Sequence, residues 1–346
     1  MSDRRVLEGT VLEGESFDPV EGRVVVEDGR VTAVEAAPTD STDLILPAFV
    51  NAHTHLGDST AKEAGEGLDL DALVAPPDGL KHRLLRRADA DTLVTGMVRS
   101  LRYMESTGTG AFVDFREGGV EGVRHLRRAV DETGTGLDAT VLARGSADAM
   151  AAGDGVGASG ARDADYGSLR RAAREAGVPF GIHAGERDAG DVNPAMDLEP
   201  DHLVHMVHLQ EVHLDRLAER ETPVVVCPRS NLVTGVGLPD LAALRARTTV
   251  ALGTDNAFLN APSMFREMEF VAKLFDTTAR EVLAMATRAG AEVAGLDCGV
   301  VEPGREARLL VLDGASDNLA GAENTVRAVV RRAGQGDVRE TVLPGA

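Results

Sequence analysis

The sequence predicts an α/β protein in which a central unit of alternating strands and helices is joined to a small β domain. Apolar, strand-like runs separated by amphipathic helical patterns recur through the middle of the chain. Alternation of this kind over about 250 residues is typical of a parallel sheet whose strands are connected by helices. Short β-type runs lie near both ends. We therefore predict a β/α domain over residues 48–296 and one β domain built from residues 1–47 and 297–346.

The β/α prediction depends on the spacing of apolar residues. In the first helical pattern Leu93, Met97 and Leu101 follow one another at four-residue intervals, which places them on one helix face. Helices are predicted at residues 91–106, 119–133, 165–176, 238–247, 263–274 and 278–294. Short apolar runs typical of buried strands lie at residues 44–50, 110–115, 139–143, 178–183, 202–209, 223–227 and 249–252. The glycine-rich residues 153–160 lack the strand-then-helix context of a phosphate-binding loop, and we predict a plain loop there.

The terminal segments have the pattern of short strands joined by tight turns. Residues 21–34 contain two β-rich runs on either side of Asp28 and Gly29, a residue pair that favours a hairpin turn. Further strands are predicted at residues 307–312, 325–330 and 338–342. Because both ends differ in this way from the middle, we predict that they combine into one small domain.

The composition limits the partners and the compartment. With 36 Lys and Arg against 56 Asp and Glu, the formal net charge is -20, which repels nucleic-acid phosphates and anionic membranes. The chain has no Trp and 3% aromatic residues, too few for an aromatic platform that stacks nucleic-acid bases. It also lacks an apolar run of about 18 residues that could span a membrane and the apolar core of a signal peptide. We predict a cytoplasmic protein without nucleic-acid or membrane partners.

The cations are almost all arginine, because lysine occurs only at positions 62, 81 and 273. Acid excess with little lysine resembles the composition of proteins from salt-loving archaea, in which salt screens self-repulsion over a Debye length of about 3 Å at 1 M. We predict a halophilic protein, with an ordinary acidic cytosolic protein as the alternative. Two cysteines are too few for a disulfide framework.

Candidate metal ligands follow the predicted strands. His53 and His55 come after the apolar run 44–50, and two positions apart on a strand they point to the same side. His183, His205 and Asp255 each close or lie in a later apolar run, and such positions share one rim of a parallel barrel. Three imidazoles and a carboxylate suit Zn²⁺ or Fe²⁺ and leave a position for water.

A carboxylate beside such a metal can move a proton, and Glu186 lies three residues after His183. Other interpretations of these residues stay open. A histidine pair alone can end a strand without binding metal, Glu186 can be a surface carboxylate, and His205 can be a hydrogen-bonded core histidine.

Further polar residues near the predicted rim are candidates for substrate binding. Lys81 and His82 lie in the long insertion after the first strand, where such insertions shape the mouth of a barrel site. The other candidates each follow a predicted strand: Arg116, Glu117, Arg229 and Asn231. The alternatives are a solvated loop for the first pair and salt-bridged turns for the others.

Five segments in chain order resemble the amidohydrolase superfamily, in particular the branch of cytosine, guanine and S-adenosylhomocysteine deaminases and triazine hydrolases. They are NAHTHLGDS from residue 51, GIHAGE from 181, HMVHL from 205, VVVCPRSNL from 224 and VALGTDNA from 250. The resemblance implies a distorted (β/α)₈ barrel of the TIM type with a small β-sandwich formed by both termini. It also implies a homodimer as one assembly for the chain.

The resemblance implies a role for each matching residue. One divalent metal, zinc in preference to iron, would be held by His53, His55, His183 and Asp255. Glu186 would take a proton from the metal-bound water and give it to a ring nitrogen. His205 would orient the nucleophile, and Asp255 would relay a proton to the leaving amine. No lysine follows the fourth predicted strand to form a bridging carbamate, which argues against two metals.

The predicted function is that of a mononuclear metal-dependent hydrolase. The first choice is hydrolytic deamination of a small amino-substituted nitrogen heterocycle, such as a nucleobase, a nucleoside or a pterin. The second is hydrolysis of a cyclic amide or another C–N or C–X bond, as in imidazolone or triazine hydrolases. A third interpretation is a catalytically inactive binding protein that contains a metal.

Overall fold

The computed structural model describes residues 4–344, and its strands form two separate sheets. In chain order the strands are β1 Arg4–Glu13, β2 Asp18–Glu27, β3 Arg30–Ala36, β4 Asp43–Pro47, β5 Phe49–His55, β6 Thr109–Arg116, β7 Asp138–Ala143, β8 Gly155–Gly160, β9 Phe180–Ala184, β10 His202–His205, β11 Val224–Val226, β12 Val250–Leu252, β13 Asp255–Asn256, β14 Leu309–Asp313 and β15 Val338–Val342. Strands β5 to β13 form a parallel sheet, and the other six form the second sheet. The protein is therefore a mixed α/β structure.

Helices follow most strands of the parallel sheet. They are α1 Leu70–Val74, α2 Leu80–Arg87, α3 Ala90–Ser106, α4 Gly119–Thr133, α5 Ala147–Ala152, α6 Gly167–Ala176, α7 Val192–Asp197, α8 Glu211–Arg220, α9 Pro228–Val233, α10 Leu241–Arg245, α11 Met264–Leu274, α12 Ala279–Ala286, α13 Arg288–Ala294 and α14 Thr325–Arg331. Within residues 4–344, none of these helices has the length and apolar character needed to cross a bilayer.

The parallel sheet curls so that its two ends approach each other. Its order is β12-β11-β10-β9-β8-β7-β6-β5-β13, and only Gly253 and Thr254 separate the two end strands in the chain. The Gly253 N–H donates to Val226 O of β11, and the Thr254 N–H donates to His53 O of β5, both at 3.0 Å. The carboxyl ends of the strands consequently surround one common space.

The second sheet combines both ends of the chain, as predicted. Its order is β15-β14-β4-β1-β2-β3. The turn between β2 and β3 has Asp28 at φ 49° and Gly29 at φ 75°, the left-handed pair that a two-residue hairpin requires. The six strands lie in one sheet, so its arrangement as a sandwich and the predicted domain limits stay predictions.

One predicted strand divides between the two sheets. Residues 44–50 form the end of β4, which pairs with β1 and β14, and the start of β5, which pairs with β6 and β13. Pro47 ends β4, and proline has no N–H with which to continue a ladder. The prediction of one continuous strand was therefore wrong, and the chain changes sheets at Pro47 and Ala48.

Two further predictions of secondary structure were wrong near the C-terminus. Residues 325–330 were predicted as a strand but form α14, which Asn324 caps by accepting a hydrogen bond from Arg327 N at 2.9 Å. Val326, Val329 and Val330 are buried on this helix, at the three- and four-residue spacing of one helix face. The helix predicted over residues 278–294 is interrupted at Thr287, where φ is -129°, and divides into α12 and α13.

The glycine-rich segment predicted as a loop contains strand β8. A Cβ atom at Gly157 would lie 2.6 Å from the Phe115 ring, and one at Gly155 would lie 2.3 Å from Pro179 O. Glycine is therefore present because neighbouring chains approach closely, a situation in which it occurs inside strands. Composition alone indicates a loop, since the neighbours that require these glycines lie elsewhere in the sequence.

Candidate metal centre

Four potential metal ligands converge at one edge of the parallel sheet. One ligand atom each from His53, His55, His183 and Asp255 lies within 4.8 Å of all the others. The Nε2 atoms of His55 and His183 are 3.4 Å apart, and Asp255 Oδ1 lies 3.3 Å from His53 Nε2. The four residues, here called the His/Asp cluster, are the set for which the resemblance implies a metal.

Strand geometry explains why the residues of β5 and β13 meet. His53 and His55 lie on one face of β5, and Thr54 between them points to the other face, where its hydroxyl donates to Val113 O at 2.9 Å. In the register of the sheet Asp255 is the partner of Thr54. Its carboxylate nevertheless lies on the side of the imidazoles, 3.3 Å from His53 Nε2 and 3.5 Å from His55 Nε2, although Asp255 is about 200 residues away in the chain.

Backbone carbonyls orient two of the imidazoles. His55 Nδ1 lies 2.9 Å from Phe115 O, and His183 Nδ1 lies 2.8 Å from Ala158 O. A carbonyl oxygen only accepts hydrogen bonds, so each Nδ1 carries the proton and each Nε2 presents a lone pair to the cluster. This is the tautomer that metal-ligating histidines adopt when the other ring nitrogen donates to a carbonyl.

Burial keeps the cluster histidines neutral. It lowers the pKa of His53 to about 4 and that of His55 to about 3, and it lowers the pKa of His183 well below its usual value. Burial alone would raise the pKa of Asp255, but contact with His53 and the neighbouring His205 outweigh it and hold that pKa well below its usual range. At neutral pH the cluster is therefore three imidazoles and one carboxylate.

The cluster fits a divalent ion. Among residues 4–344, His53 Nε2 and Asp255 Oδ1 are buried and find no hydrogen-bond partner, and such orphaned polar atoms are costly. Both face the other cluster atoms, so one cation could satisfy them together. Three nitrogen ligands and one oxygen ligand suit Zn²⁺ or Fe²⁺.

Asp255 is held in place from the side opposite the imidazoles. Its other oxygen, Oδ2, accepts a hydrogen bond of 2.6 Å from Ser230 Oγ on α9. The Asp255 backbone has φ 58°, a left-handed conformation that is uncommon outside glycine and that often marks a functional site. These two constraints fix the direction in which Oδ1 points.

A histidine and a carboxylate lie together beside the cluster. His205 at the end of β10 has its Nε2 atom 3.5 Å from Glu186 Oε2, and both residues offer ligand atoms within 4.8 Å of Asp255. The Glu186 side chain is 18% exposed, and burial raises its pKa. His205 Nδ1 lies 3.1 Å from the side-chain amide of Asn231. The pair can therefore reach both the cluster and the adjoining cavity.

The cavity over the cluster is open to solvent. His55, His183, Asp255, Glu186 and His205 line one part of it. The rest of the lining is mostly aliphatic, small or charged, and among residues 4–344 no Phe, Tyr or Trp belongs to it.

Lys81 is the predicted substrate residue that lines this cavity. It lies on α2 rather than in a loop, is 2% exposed, and has its Nζ 2.6 Å from Glu117 Oε1 and 2.9 Å from Asn256 Oδ1. Glu117 Oε1 also lies 2.9 Å from His55 Nδ1. The pair Lys81 and Glu117 therefore connects the cavity wall to a cluster histidine.

Glu117 is the centre of a buried ion network that also contains Lys81, Arg116 and Arg144, here called the Glu117 cluster. Its Oε2 atom lies 3.1 Å from Arg116 and its Oε1 atom 3.4 Å from Arg144. Burial would raise the Glu117 pKa, but Lys81 and the other positive neighbours hold it well below its usual range. Glu117 is therefore ionised at neutral pH.

Three other predicted substrate residues have protein partners and do not line the cavity. Arg116 binds Glu117 and lies 3.8 Å from Asp114, Arg229 lies 3.3 Å from Glu267, and His82 Nε2 lies 3.1 Å from Val74 O. Asn231 likewise contacts His205 rather than the cavity. For these four the geometry favours structural or supporting roles.

The sequence profile of the Amidohydrolase family matches residues 44–345. This chain belongs to the amidohydrolase family. Relatives support the assignment over the full length. A protein of Methanocaldococcus jannaschii is 32% identical over 96% of both chains. A 5-methylthioadenosine/S-adenosylhomocysteine deaminase of Halobacterium salinarum is 30% identical over 100% of this chain and 92% of the relative. The amidohydrolase is thus an enzyme with relatives named for hydrolysis of non-peptide C–N bonds.

Solved structures share the fold of this amidohydrolase. A triazine hydrolase variant aligns with a TM-score of 0.84 and 16% identity over 99% of this chain and 94% of the other. An adenosine deaminase of Xanthomonas campestris with bound zinc aligns with a TM-score of 0.76 and 20% identity over 98% and 91%. The structure of that neighbour contains zinc.

Sequence reasoning missed Arg144, which lines the cavity of the amidohydrolase and belongs to the Glu117 cluster. Its Nε atom is buried and has no hydrogen-bond partner among residues 4–344. A signal was present, because Arg144 directly follows the predicted strand 139–143, the position that selected the other candidates. Ser230 and Asn256 were also missed. No local sequence pattern predicts the contact of Ser230 with Asp255 or that of Asn256 with Lys81.

Proposed function

We propose that this amidohydrolase is a mononuclear, metal-dependent deaminase of small amino-substituted nitrogen heterocycles. One divalent ion, zinc in preference to iron, would be held by the His/Asp cluster. The observation that carries the proposal is the convergence of four ligand atoms within 4.8 Å, next to Glu186 and His205. A solvent-open cavity beside them gives a small heterocycle access to the cluster.

We also propose that β5 to β13 form a (β/α)₈ barrel in which β12 and β13 are two parts of the eighth strand. The two-residue link between these strands supports this arrangement. The cluster then lies at the carboxyl ends of the barrel strands, where active sites of such barrels are found.

Each residue of the site has a chemical task in this reaction. A divalent ion in the cluster supplies Lewis acidity and lowers the pKa of water. Glu186 accepts a proton from the attacking water and transfers it to the ring nitrogen, a step favoured because burial raises the pKa of its carboxyl. His205 stabilises the negative charge that develops, and Asp255 passes a proton to the departing amine. The proton that Asp255 passes on is the second proton of the attacking water, which leaves the added hydroxyl as the C–N bond breaks. Ammonia leaves, and the ring keeps a carbonyl oxygen.

Hydrolysis of a cyclic amide or of another C–X bond is the second candidate. One observation favours it: among residues 4–344, the cavity lining has no Phe, Tyr or Trp side chain on which a nucleobase could stack. The same cluster and the same carboxylate would serve either reaction. Product analysis separates them, because deamination releases ammonia whereas opening of a cyclic amide leaves a new carboxylate.

The test is the substitution Glu186→Gln in the metal-loaded enzyme, assayed for ammonia release from purines, pyrimidines, their nucleosides and pterins. Loss of the proton carrier is expected to reduce turnover by about 10³-fold, while metal content stays at that of the wild type. The matched control is Glu175→Gln, an exposed carboxylate on α6, which is expected to leave turnover unchanged.

Two results would contradict the proposal. The first is wild-type activity that survives complete removal of metal. The second is absence of wild-type turnover with every compound, together with unchanged ligand binding in Glu186→Gln, which would favour an inactive binding protein.

A further inference from the structure

His205 has a different hydrogen-bond environment from the histidines beside it. His55 and His183 direct Nδ1 at backbone carbonyls, which fixes the proton on Nδ1. His205 instead directs Nδ1 at the side-chain amide of Asn231, with 3.1 Å between Nδ1 and Nδ2. An amide group can donate or accept, so the other ring nitrogen decides the tautomer.

The other ring nitrogen of His205 faces a carboxylate. Nε2 lies 3.5 Å from Glu186 Oε2, and an ionised carboxylate only accepts hydrogen bonds. A proton on Nε2 therefore meets an acceptor, whereas a lone pair there would face the lone pairs of the carboxylate. With the proton on Nε2, Nδ1 must accept, and the Asn231 NH₂ group must be the donor. Only this arrangement gives both ring nitrogens of His205 a suitable partner: Glu186 as acceptor for Nε2–H and Asn231 as donor to Nδ1.

We propose that Asn231 is a positioning residue that fixes His205 as the Nε2–H tautomer. His205 is thereby a hydrogen-bond donor toward the reacting groups, while His55 and His183 present lone pairs. The inference rests on the proposed function for its catalytic consequence, since a donor is what the charge developing on the substrate requires. Which ring nitrogen of His205 carries the proton can be measured independently of any catalytic activity.

The helix that carries Asn231 positions a second residue of the site. Ser230 precedes it on α9 and donates to Asp255 Oδ2 at 2.6 Å. Adjacent residues of one helix therefore hold His205 and Asp255. Glu267, which is fully buried, accepts from the Arg229 N–H at 3.0 Å and fixes the first turn of α9. Displacement of this short helix would change both contacts together.

The test is Asn231→Asp, which preserves size but replaces the NH₂ donor with an acceptor. Ring ¹⁵N shifts are recorded on ¹⁵N-histidine-labelled, zinc-loaded protein, with His205→Gln to identify the signal. In the wild type we expect a protonated Nε2 and an unprotonated Nδ1, and in Asn231→Asp a protonated Nδ1. Turnover is expected to fall by about 10²-fold or more, with KM and zinc content near wild-type values.

The matched control is Ser230→Ala, which removes the neighbouring contact on the same helix and is expected to leave the His205 tautomer unchanged. A wild-type His205 that carries its proton on Nδ1 would overturn the inference, as would full turnover in Asn231→Asp. If the wild type has the Nε2–H tautomer but deaminates nothing, the proposed function fails and the assignment of Asn231 stands.

Discussion

Two histidines on neighbouring strands, His183 and His202, differ in what surrounds them. His183 lies near the carboxyl end of β9, where its Nε2 is 3.4 Å from that of His55. His202 begins β10 at the opposite end of the sheet, and its ring lies 5.7 Å from the Phe115 ring. Burial lowers both pKa values, that of His202 to about 3. A low pKa therefore does not identify the site, whereas convergence with other ligands does.

The largest effect expected from this comparison is that of His183→Ala. Loss of one of four ligands should release the metal and reduce turnover by about 10³-fold or more, because a catalytic metal contributes several kcal/mol to transition-state stabilisation. His202→Gln is the matched control, since it changes a buried histidine outside the cluster. Metal analysis of the purified proteins and an ammonia assay measure both effects.

Loss of metal in both variants, or in neither, would contradict the claim that convergence with other ligands identifies the metal site. If His202→Gln alone lost metal, the assignment of ligands to the carboxyl end would be wrong. A thermal unfolding curve for each variant separates loss of metal binding from loss of the fold.

Particular residues show how far the sequence predicts this site. The His/Asp cluster is predictable because its members obey local rules: alternation on β5, and position at the end of an apolar run. Arg229 also follows an apolar run, yet its side chain forms an ion pair with Glu267 on another helix instead of facing the cavity. The partner of Arg229 lies 38 positions away, and that of Lys81, Asn256, lies 175 positions away. Such pairings are tertiary, and no local pattern encodes them.

The same distinction explains the errors in the fold. Residues 325–330 are rich in valine and were predicted as a strand, but tertiary packing of one helix face overrode that propensity. The glycines of β8 are required by Phe115 and Pro179, which are remote in sequence. Helix α4, whose apolar residues repeat at helical spacing, was predicted with the bounds that the structure shows, Gly119–Thr133.

A smaller effect is expected one contact away from the His/Asp cluster, in Glu117→Gln. The substitution leaves Lys81, Arg116 and Arg144 without their shared carboxylate, and breaking a buried ion pair in this way costs about 3 kcal/mol of unfolding free energy. Glu117 also contacts His55 Nδ1, and loss of such a supporting group weakens metal binding by about 10-fold. Denaturant unfolding and competition with a chelator measure the two effects.

The control for Glu117→Gln is Glu121→Gln on α4, which removes an exposed ion pair with Arg124 and should change neither quantity measurably. Equal effects of the two substitutions would mean that burial of the Glu117 cluster does not matter. If the Glu117→Gln variant lost stability but kept its metal affinity, Glu117 would not be needed to hold His55 as a metal ligand.

The smallest effect is expected two contacts away, at Glu267 beneath α9, and it appears as a pH dependence. Burial raises the pKa of Glu267 to about 7, with Arg229 acting in the opposite direction. Because the folded pKa exceeds the unfolded value of 4.5, the folded state binds the extra proton. The penalty for ionising this group is therefore absent below pH 4.5, grows as the pH rises to about 7, and is on the order of 3 kcal/mol above it.

Glu267→Gln removes this titration, so the stability of the variant relative to wild type should increase between about pH 4.5 and pH 7 and then level off. The difference between the two denaturant curves at each pH isolates the contribution of this one group from that of the other carboxyls. A difference that is constant with pH would mean that Arg229 keeps Glu267 ionised throughout. The support of α9 would then be a permanent ion pair.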